Sequence, residues 1–217
     1  MNLCALESLW QEKLIFIRMH FDHPIILASN SPRRQQILKE AGFDLVVKTK
    51  PSNEDYPSHL KIEQVAVYLA ESKAKALKDE ITKEIVIAAD TIVCLPAPMQ
   101  SGNDEILGKP RNQSEAFEML KKLSGSKHEV ITGVCLLSKN KEISFFDKTE
   151  VWFRELEEAE INYYIENYKP FDKAGGYGIQ EWIGLIGIEK INGSYFNVMG
   201  LPVHKVYEEL KKLTVDN

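Results

Sequence analysis

Asp90 asks the most of its surroundings. It stands with Thr91 inside the run from Ile85 to Leu95, the most apolar strand-like stretch of the chain. A carboxylate in a buried strand costs several kcal/mol unless it is paired or bound to metal. Capping a neighbouring turn would be the bland explanation. A catalytic carboxylate carried on a rigid strand is the stronger one. A second acid, Glu54, lies in a loop bounded by Pro51 and Pro57. Such a pair suits Mg²⁺ or Mn²⁺, hard ions that take oxygen ligands and share their shell with phosphate. Cations of matching kind occur elsewhere. Ser29-Asn30-Ser31-Pro32-Arg33-Arg34 follows the apolar Ile25–Ala28 and reads as a strand end, a polar turn and a helix start. Ser31 is a good N-cap and Pro32 a good first helical residue. Hydroxyls, free N–H groups, a helix dipole and two guanidinium groups together make a phosphate cradle. Lys73 falls on the apolar stripe of a helix, so it must snorkel or find an anion. Lys109 sits between Gly108 and Pro110, where the backbone is constrained and the side chain is aimed.

The elements that must position these groups follow from periodicity. After the first helix, which carries Ile37, Leu38 and Ala41 inward and stops at Gly42, Phe43–Thr49 reads as a strand. Ile62–Leu77 is an amphipathic helix and Ile85–Leu95 a buried strand. Pro96–Asp104 is a loop, Glu105–Arg111 a short extended segment, and Asn112–Leu123 a helix ending at Gly125. Glu129–Ser138 and Glu142–Phe153 make a hairpin. Glu157–Tyr168 is a helix, Asp172–Gln180 a glycine-rich loop, Ile183–Ile191 a strand, and Leu201–Leu213 a closing helix begun at Pro202. Strands alternate with helices and a hairpin intervenes, so the class is α/β with a mixed sheet. The glycine run Gly175-Gly176-Tyr177-Gly178 precedes no evident helix and does not match the dinucleotide pattern.

Composition narrows the partners. The chain has 217 residues, 44% hydrophobic and 27% charged, with a formal charge of −5. That balance excludes a general nucleic-acid surface but not a local basic cleft. No apolar run is long enough to span a membrane, and the start is not a secretory signal. Cys4, Cys94 and Cys135 have no metal-ligand spacing, and the last two read as core thiols of a reducing compartment. The five histidines, His20, His23, His59, His128 and His204, form no Ser–His or Cys–His arrangement and read as structural or surface groups. Residues 1–22 stand apart as an extension: a short helix, a loosely ordered lead, or a lead upstream of a second start at Met19. Residues 23–217 are expected to form a single domain.

Six segments in order make the chain resemble the Maf family of nucleoside triphosphate pyrophosphatases. They are Leu27–Arg34, Glu71–Ala74, Ala88–Thr91, Leu107–Pro110, Asp172–Gln180 and Gly193–Pro202. The resemblance covers about Ile25 to Leu213 and leaves out the extension. It implies an elongated α/β fold similar to that of inosine triphosphate pyrophosphatases, with two lobes around a central cleft. It further implies a cytoplasmic homodimer that needs a divalent cation and splits the α–β anhydride of a nucleoside triphosphate into monophosphate and pyrophosphate. Asp90 corresponds to the family's proton acceptor. Arg33, Thr91 and Gln180 occupy the positions that separate subfamilies, and here they match the dTTP/UTP branch.

The residues and the resemblance agree on a mechanism. Ser29, Ser31, Arg33, Arg34, Lys73 and Lys109 hold the triphosphate, and Glu54 and Asp90 seat the metal. Water attacks phosphorus, activated by Asp90 or by the metal; the sequence leaves both roles open for Asp90. Gln180 has the donor and acceptor to meet a uracil or thymine edge. The rival readings are a pyrophosphatase for 7-methyl-GTP or ITP, and a non-catalytic nucleotide-binding regulator of septum formation.

Overall fold

A computed structural model describes residues 23–96 and 104–215. The extension, most of the Pro96–Asp104 loop, and Cys4 and His20 lie outside those residues. Along the chain run β1 (Ile25–Leu27), α1 (Pro32–Glu40), β2 (Leu45–Val47), α2 (Ile62–Lys75), β3 (Ile85–Leu95), β4 (Glu105–Leu107) and α3 (Gln113–Leu123). Then come β5 (Lys127–Leu137), β6 (Glu142–Phe153), α4 (Glu158–Tyr168), α5 (Trp182–Gly187), β7 (Ile188–Asn192), α6 (Tyr195–Met199) and α7 (Val203–Val215). The strands form one seven-stranded mixed sheet in the order β2-β1-β3-β5-β6-β7, with β4 added beside β3. The β2-β1-β3 side is parallel and the rest antiparallel.

Pairing along β3 opens the cleft. One edge of β3 is taken by β5 from Val86 to Cys94. On the other edge β1 pairs only with Ile85–Ile87, and β4 only with Val93–Leu95. Ala88 to Ile92 therefore have no strand beside them there. Neighbours that part at the carboxyl end of a parallel strand leave a crevice, the usual ligand position in such sheets. Asp90 and Thr91 stand at its floor.

Strand alternation assigns the two residues to opposite faces. Ile25, Leu27, Ile85, Ile87, Ala89 and Val93 face a large core with Leu38, Leu120, Tyr164 and Leu210. Ile26, Val86 and Ala88 face Ala70 and Ala74 of α2 and Leu77 just beyond it. Ile92, Cys94 and Ile131 meet Val65, Ala66 and Leu69 of the same helix. Burying each Val, Leu or Ile side chain among them stabilises the fold by about 1.5–3 kcal/mol. Asp90 falls between Ala88 and Ile92, so it faces α2. Thr91 looks the other way, toward α1 and α6.

The closeness of α2 rests on Gly133, which pairs with Asp90 on β5. A Cβ there would lie 2.2 Å from the Ala66 carbonyl carbon and 2.4 Å from the Val67 nitrogen. The helix backbone thus lies directly on the sheet at that point.

Three expectations are corrected. Ile183–Ile191 is not one strand: Trp182–Gly187 is helical and only Ile188–Asn192 pairs, with β6. An unbroken apolar run suits a buried helix or a buried strand equally, and its period does not choose between them. The Phe43–Thr49 strand shrinks to Leu45–Val47. Ser31 occupies the N-cap of α1, but its hydroxyl makes no capping bond, and α1 starts on Pro32 without one. The short helix α6 had no sequence signal; Ser194 caps it by accepting from the Asn197 N–H at 3.3 Å.

Candidate active site

All ten residues singled out from the sequence line one cleft of about 720 Å³: Ser29, Ser31, Arg33, Arg34, Glu54, Lys73, Asp90, Thr91, Lys109 and Gln180. That size falls within the range of small-ligand sites.

On one side of β3, Lys73 projects from the last turn of α2 and donates to Asp90 Oδ1. Both side chains are about a fifth exposed, 22% and 19%. Burying the two charges is tolerable because each offsets the other. Asp90 lines the cleft, and its Oδ2 has no protein partner among the described residues.

On the other side, Arg34 is held by three bonds. Its Nε donates to the Gly200 carbonyl at 2.8 Å, Nη1 to Ser29 Oγ at 3.2 Å, and Nη2 to Thr91 Oγ1 at 3.0 Å. A guanidinium has five N–H donors, so two stay available to a ligand. Thr132 donates to the Asn197 carbonyl at 3.1 Å, which uses its one hydroxyl proton. The 3.0 Å contact between Thr91 and Thr132 must then be donated by Thr91. Thr91 accepts from Arg34 and gives to Thr132, so the chain of bonds has one direction. Desolvation lowers the pKa of the half-buried Arg34; Asp90 opposes that shift and Arg33 adds to it. An arginine so placed remains a cation and gains from any anion that arrives.

Arg33 donates to Asp172 Oδ2 at 2.8 Å. Desolvation raises the Asp172 pKa, but hydrogen bonds from Lys173 and Arg33 outweigh it and hold the carboxyl down at about 2. Buried Lys173 also reaches Glu181 Oε1 at 3.1 Å. Lys109 and Glu54 are exposed at the rim. Gln180 is half-buried, and its Oε1 is buried with no partner.

Sequence reasoning missed Lys50 and Lys173 among the cleft's cations. Lys173 stands inside the quoted Asp172–Gln180 segment, between an acid and a glycine run, and that spacing was the available signal. Lys50 follows a three-residue strand and pairs with Glu80, so nothing local marked it. With these two, Arg33, Arg34, Lys50, Lys73, Lys109 and Lys173 face Glu54, Asp90 and Asp172. A chain of net charge −5 has thus gathered a cationic excess in one crevice. Such focusing draws in a polyanion.

Among the described residues no three His, Cys, Asp or Glu side chains are grouped to cage a metal ion. Among the described histidines, His59 and His204 are exposed and His23 bonds the Lys83 carbonyl. His128 is fully buried, sits 2.7 Å from the Tyr177 hydroxyl through Nε2 and stacks on Phe153. Burial pushes its pKa down to about 3. Cys94 and Cys135 are buried free thiols.

The Maf-like protein family model matches residues 24–213. The chain belongs to the Maf family. Among its relatives is the dTTP/UTP pyrophosphatase of Cytophaga hutchinsonii, 49% identical over 199 residues, 92% of this chain and 88% of that protein. The dTTP/UTP pyrophosphatase of Phocaeicola vulgatus is 53% identical over 193 residues, 88% of this chain and 96% of that protein. That of Parabacteroides distasonis is 49% identical over 191 residues, 87% and 95% respectively. The Maf match spans both β1, after which the Ser29–Arg34 turn begins, and α6, whose end supplies the carbonyl that holds Arg34. No helix among the described residues is long and apolar enough to cross a membrane.

Proposed function

We propose that this Maf protein is a nucleoside triphosphate pyrophosphatase that hydrolyses dTTP and UTP to the monophosphate and pyrophosphate. The carrying observation is the convergence of cations from five separate chain segments on one crevice, facing a strand-borne carboxylate with a free oxygen. The relatives' shared activity supports the same reading. Arg34, oriented by Ser29, Thr91 and Gly200, presents two N–H groups to phosphate oxygens. Arg33, Lys109 and the free Ser31 hydroxyl add contacts around the N-terminus of α1. Phosphate oxygens compete with Asp90 for the Lys73 ammonium, which frees the carboxylate as charge arrives. Asp90 then takes the proton of a water that attacks phosphorus. A new P–O bond forms, the bridging P–O bond breaks, and pyrophosphate leaves. Positioning and charge neutralisation supply most of the acceleration.

The acid set fits a divalent cation only if the substrate completes its shell. Mg²⁺ is commonly held by one or two carboxylates plus phosphate oxygens, and Glu54 and Asp90 are the pair that would hold it. When bound, such an ion would neutralise charge on the transferring group. A cytoplasmic homodimer, with residues 1–22 outside the Maf domain, completes this reading.

The test is pyrophosphate release from dTTP, UTP, CTP, 7-methyl-GTP and ITP at fixed Mg²⁺. Wild type should favour dTTP and UTP. Asp90→Asn should lower kcat by about 10²–10⁴, the usual contribution of a general base, with KM little changed. An Asp90→Asn enzyme with wild-type turnover would remove the mechanism. Binding of UTP without pyrophosphate release would make the chain a nucleotide sensor.

A further inference from the structure

Behind the cleft wall, a buried tyrosine clamps the turn carrying Gln180. Gly178 to Glu181 form that turn, closed by the Glu181 N–H donating to the Gly178 carbonyl at 3.0 Å. Gln180 is its third residue. Tyr164, fully buried on α4, reaches both ends of the turn with one hydroxyl. It accepts from the Gly178 N–H at 3.0 Å and donates to Glu181 Oε2. The Glu181 carboxylate folds back across the turn. A Cβ on Gly178 would lie 2.9 Å from Glu181 Cδ and 3.1 Å from Gln180 Nε2, so a larger residue there would have to push both side chains aside. The other carboxylate oxygen of Glu181 takes the buried Lys173 ammonium, which also binds Asp172, the partner of Arg33. The clamp thus joins the Gln180 turn to the phosphate-facing end of α1.

We propose that Tyr164, acting through Glu181 and the Gly178 N–H, is a positioning residue that sets the base preference of the site. The physical reason lies in the Gln180 amide. A free glutamine can swap its oxygen and nitrogen by rotation and so serve uracil or cytosine equally well. A clamped turn sets where the Gln180 amide stands, so that its acceptor, which has no protein partner, meets one donor on the base. In uracil and thymine that donor is the ring N–H; cytosine has an acceptor at the same place. Leaving a buried acceptor unpaired is what makes a polar site reject the wrong ligand. The inference rests on the pyrophosphatase reading, and its test separates the two.

Tyr164→Phe keeps the ring, which stacks on Tyr168 with centroids 5.1 Å apart, and removes only the hydroxyl. Steady-state kinetics with UTP and CTP, and competitive inhibition by inorganic tripolyphosphate, are compared with wild type. The expected result is a rise of about tenfold in KM for UTP, the effect of one lost buried hydrogen bond, with kcat within about twofold. The UTP-over-CTP ratio of kcat/KM should fall by a similar factor. The Ki of tripolyphosphate, which has no base, should stay within about twofold, because Tyr164→Phe leaves the Glu181–Lys173–Asp172–Arg33 ion pairs in place. Glu181→Gln keeps an acceptor for the Tyr164 hydroxyl and should keep the UTP-over-CTP ratio within about threefold of wild type. A Tyr164→Phe enzyme with an unchanged ratio overturns the proposal. So does a parallel weakening of UTP and tripolyphosphate, which would mark a general structural defect, or loss of the ratio in Glu181→Gln. A wild type that fails to release pyrophosphate from any nucleotide would sink the pyrophosphatase reading instead.

Discussion

Gly133→Ala tests whether the contact of α2 with the sheet is what delivers Lys73 to Asp90. The new methyl would lie 2.2 Å from the Ala66 carbonyl carbon, against the 3.4 Å of an ordinary contact. The obstacle is backbone, so no side chain can rotate away. The helix must retreat by about 1.2 Å at that point. Its buried face, Val65, Ala66, Leu69, Ala70 and Ala74, would move with it. Overpacking of this kind costs about 1–3 kcal/mol, and a rigid obstacle places the effect near the upper figure. About 3 kcal/mol in a chain of this length lowers Tm by roughly 6–12 °C. Lys73 lies two turns beyond Ala66 on the same helix and shifts with it. A misplacement of about 1 Å at a reacting centre costs about 10²-fold in rate. Calorimetry would read the first effect and pyrophosphate release from UTP the second. A variant melting within about 2 °C of wild type and turning over UTP within about twofold would refute the reasoning, because the helix would then have had slack that the geometry denies.

Two further outcomes follow from the site and the core. Arg34→Lys keeps the charge but not the three-way hold by Gly200, Ser29 and Thr91; kcat/KM for UTP should fall by about 10–100-fold, with dTTP falling in parallel because the phosphate grip is shared. His128 takes a proton at its ordinary 6.5 in the unfolded chain but only at about 3 when buried. Between those values the unfolded state binds more protons, so stability falls as pH drops through that window. From pH 7 to pH 5 denaturant titration should show wild type losing about 2 kcal/mol more than His128→Phe, and equal losses would contradict the burial.

Much of the site was legible because strong local patterns carried it. The apolar run of β3 marked Asp90 as an expensive carboxylate, and the stripe of α2 turned Lys73 inward. The two now pair. Ser29, Ser31 and the arginines were readable because a strand, a turn and a Pro-started helix are written in adjacent residues. The apolar run from Ile183 was misread as strand throughout, because burial on all sides erases the periodicity that separates helix from strand. Lys50 had no distinguishing neighbour. Nothing local marks Tyr164 or Gly133, because the groups that the Tyr164 hydroxyl bonds and that Gly133 admits lie on other elements.

By itself, the sequence determined which groups were available and which elements they rode on, since spacing, capping and alternation are properties of neighbouring residues. Only the tertiary structure decided who meets whom. The crevice exists because β1 and β4 each cover a different part of β3 and leave Ala88 to Ile92 bare on that edge. Arg34 is oriented by a carbonyl 166 residues away. The Gln180 turn is clamped by a tyrosine from another helix. Such contacts depend on strand order and on how closely backbones approach, and no local residue pattern encodes either.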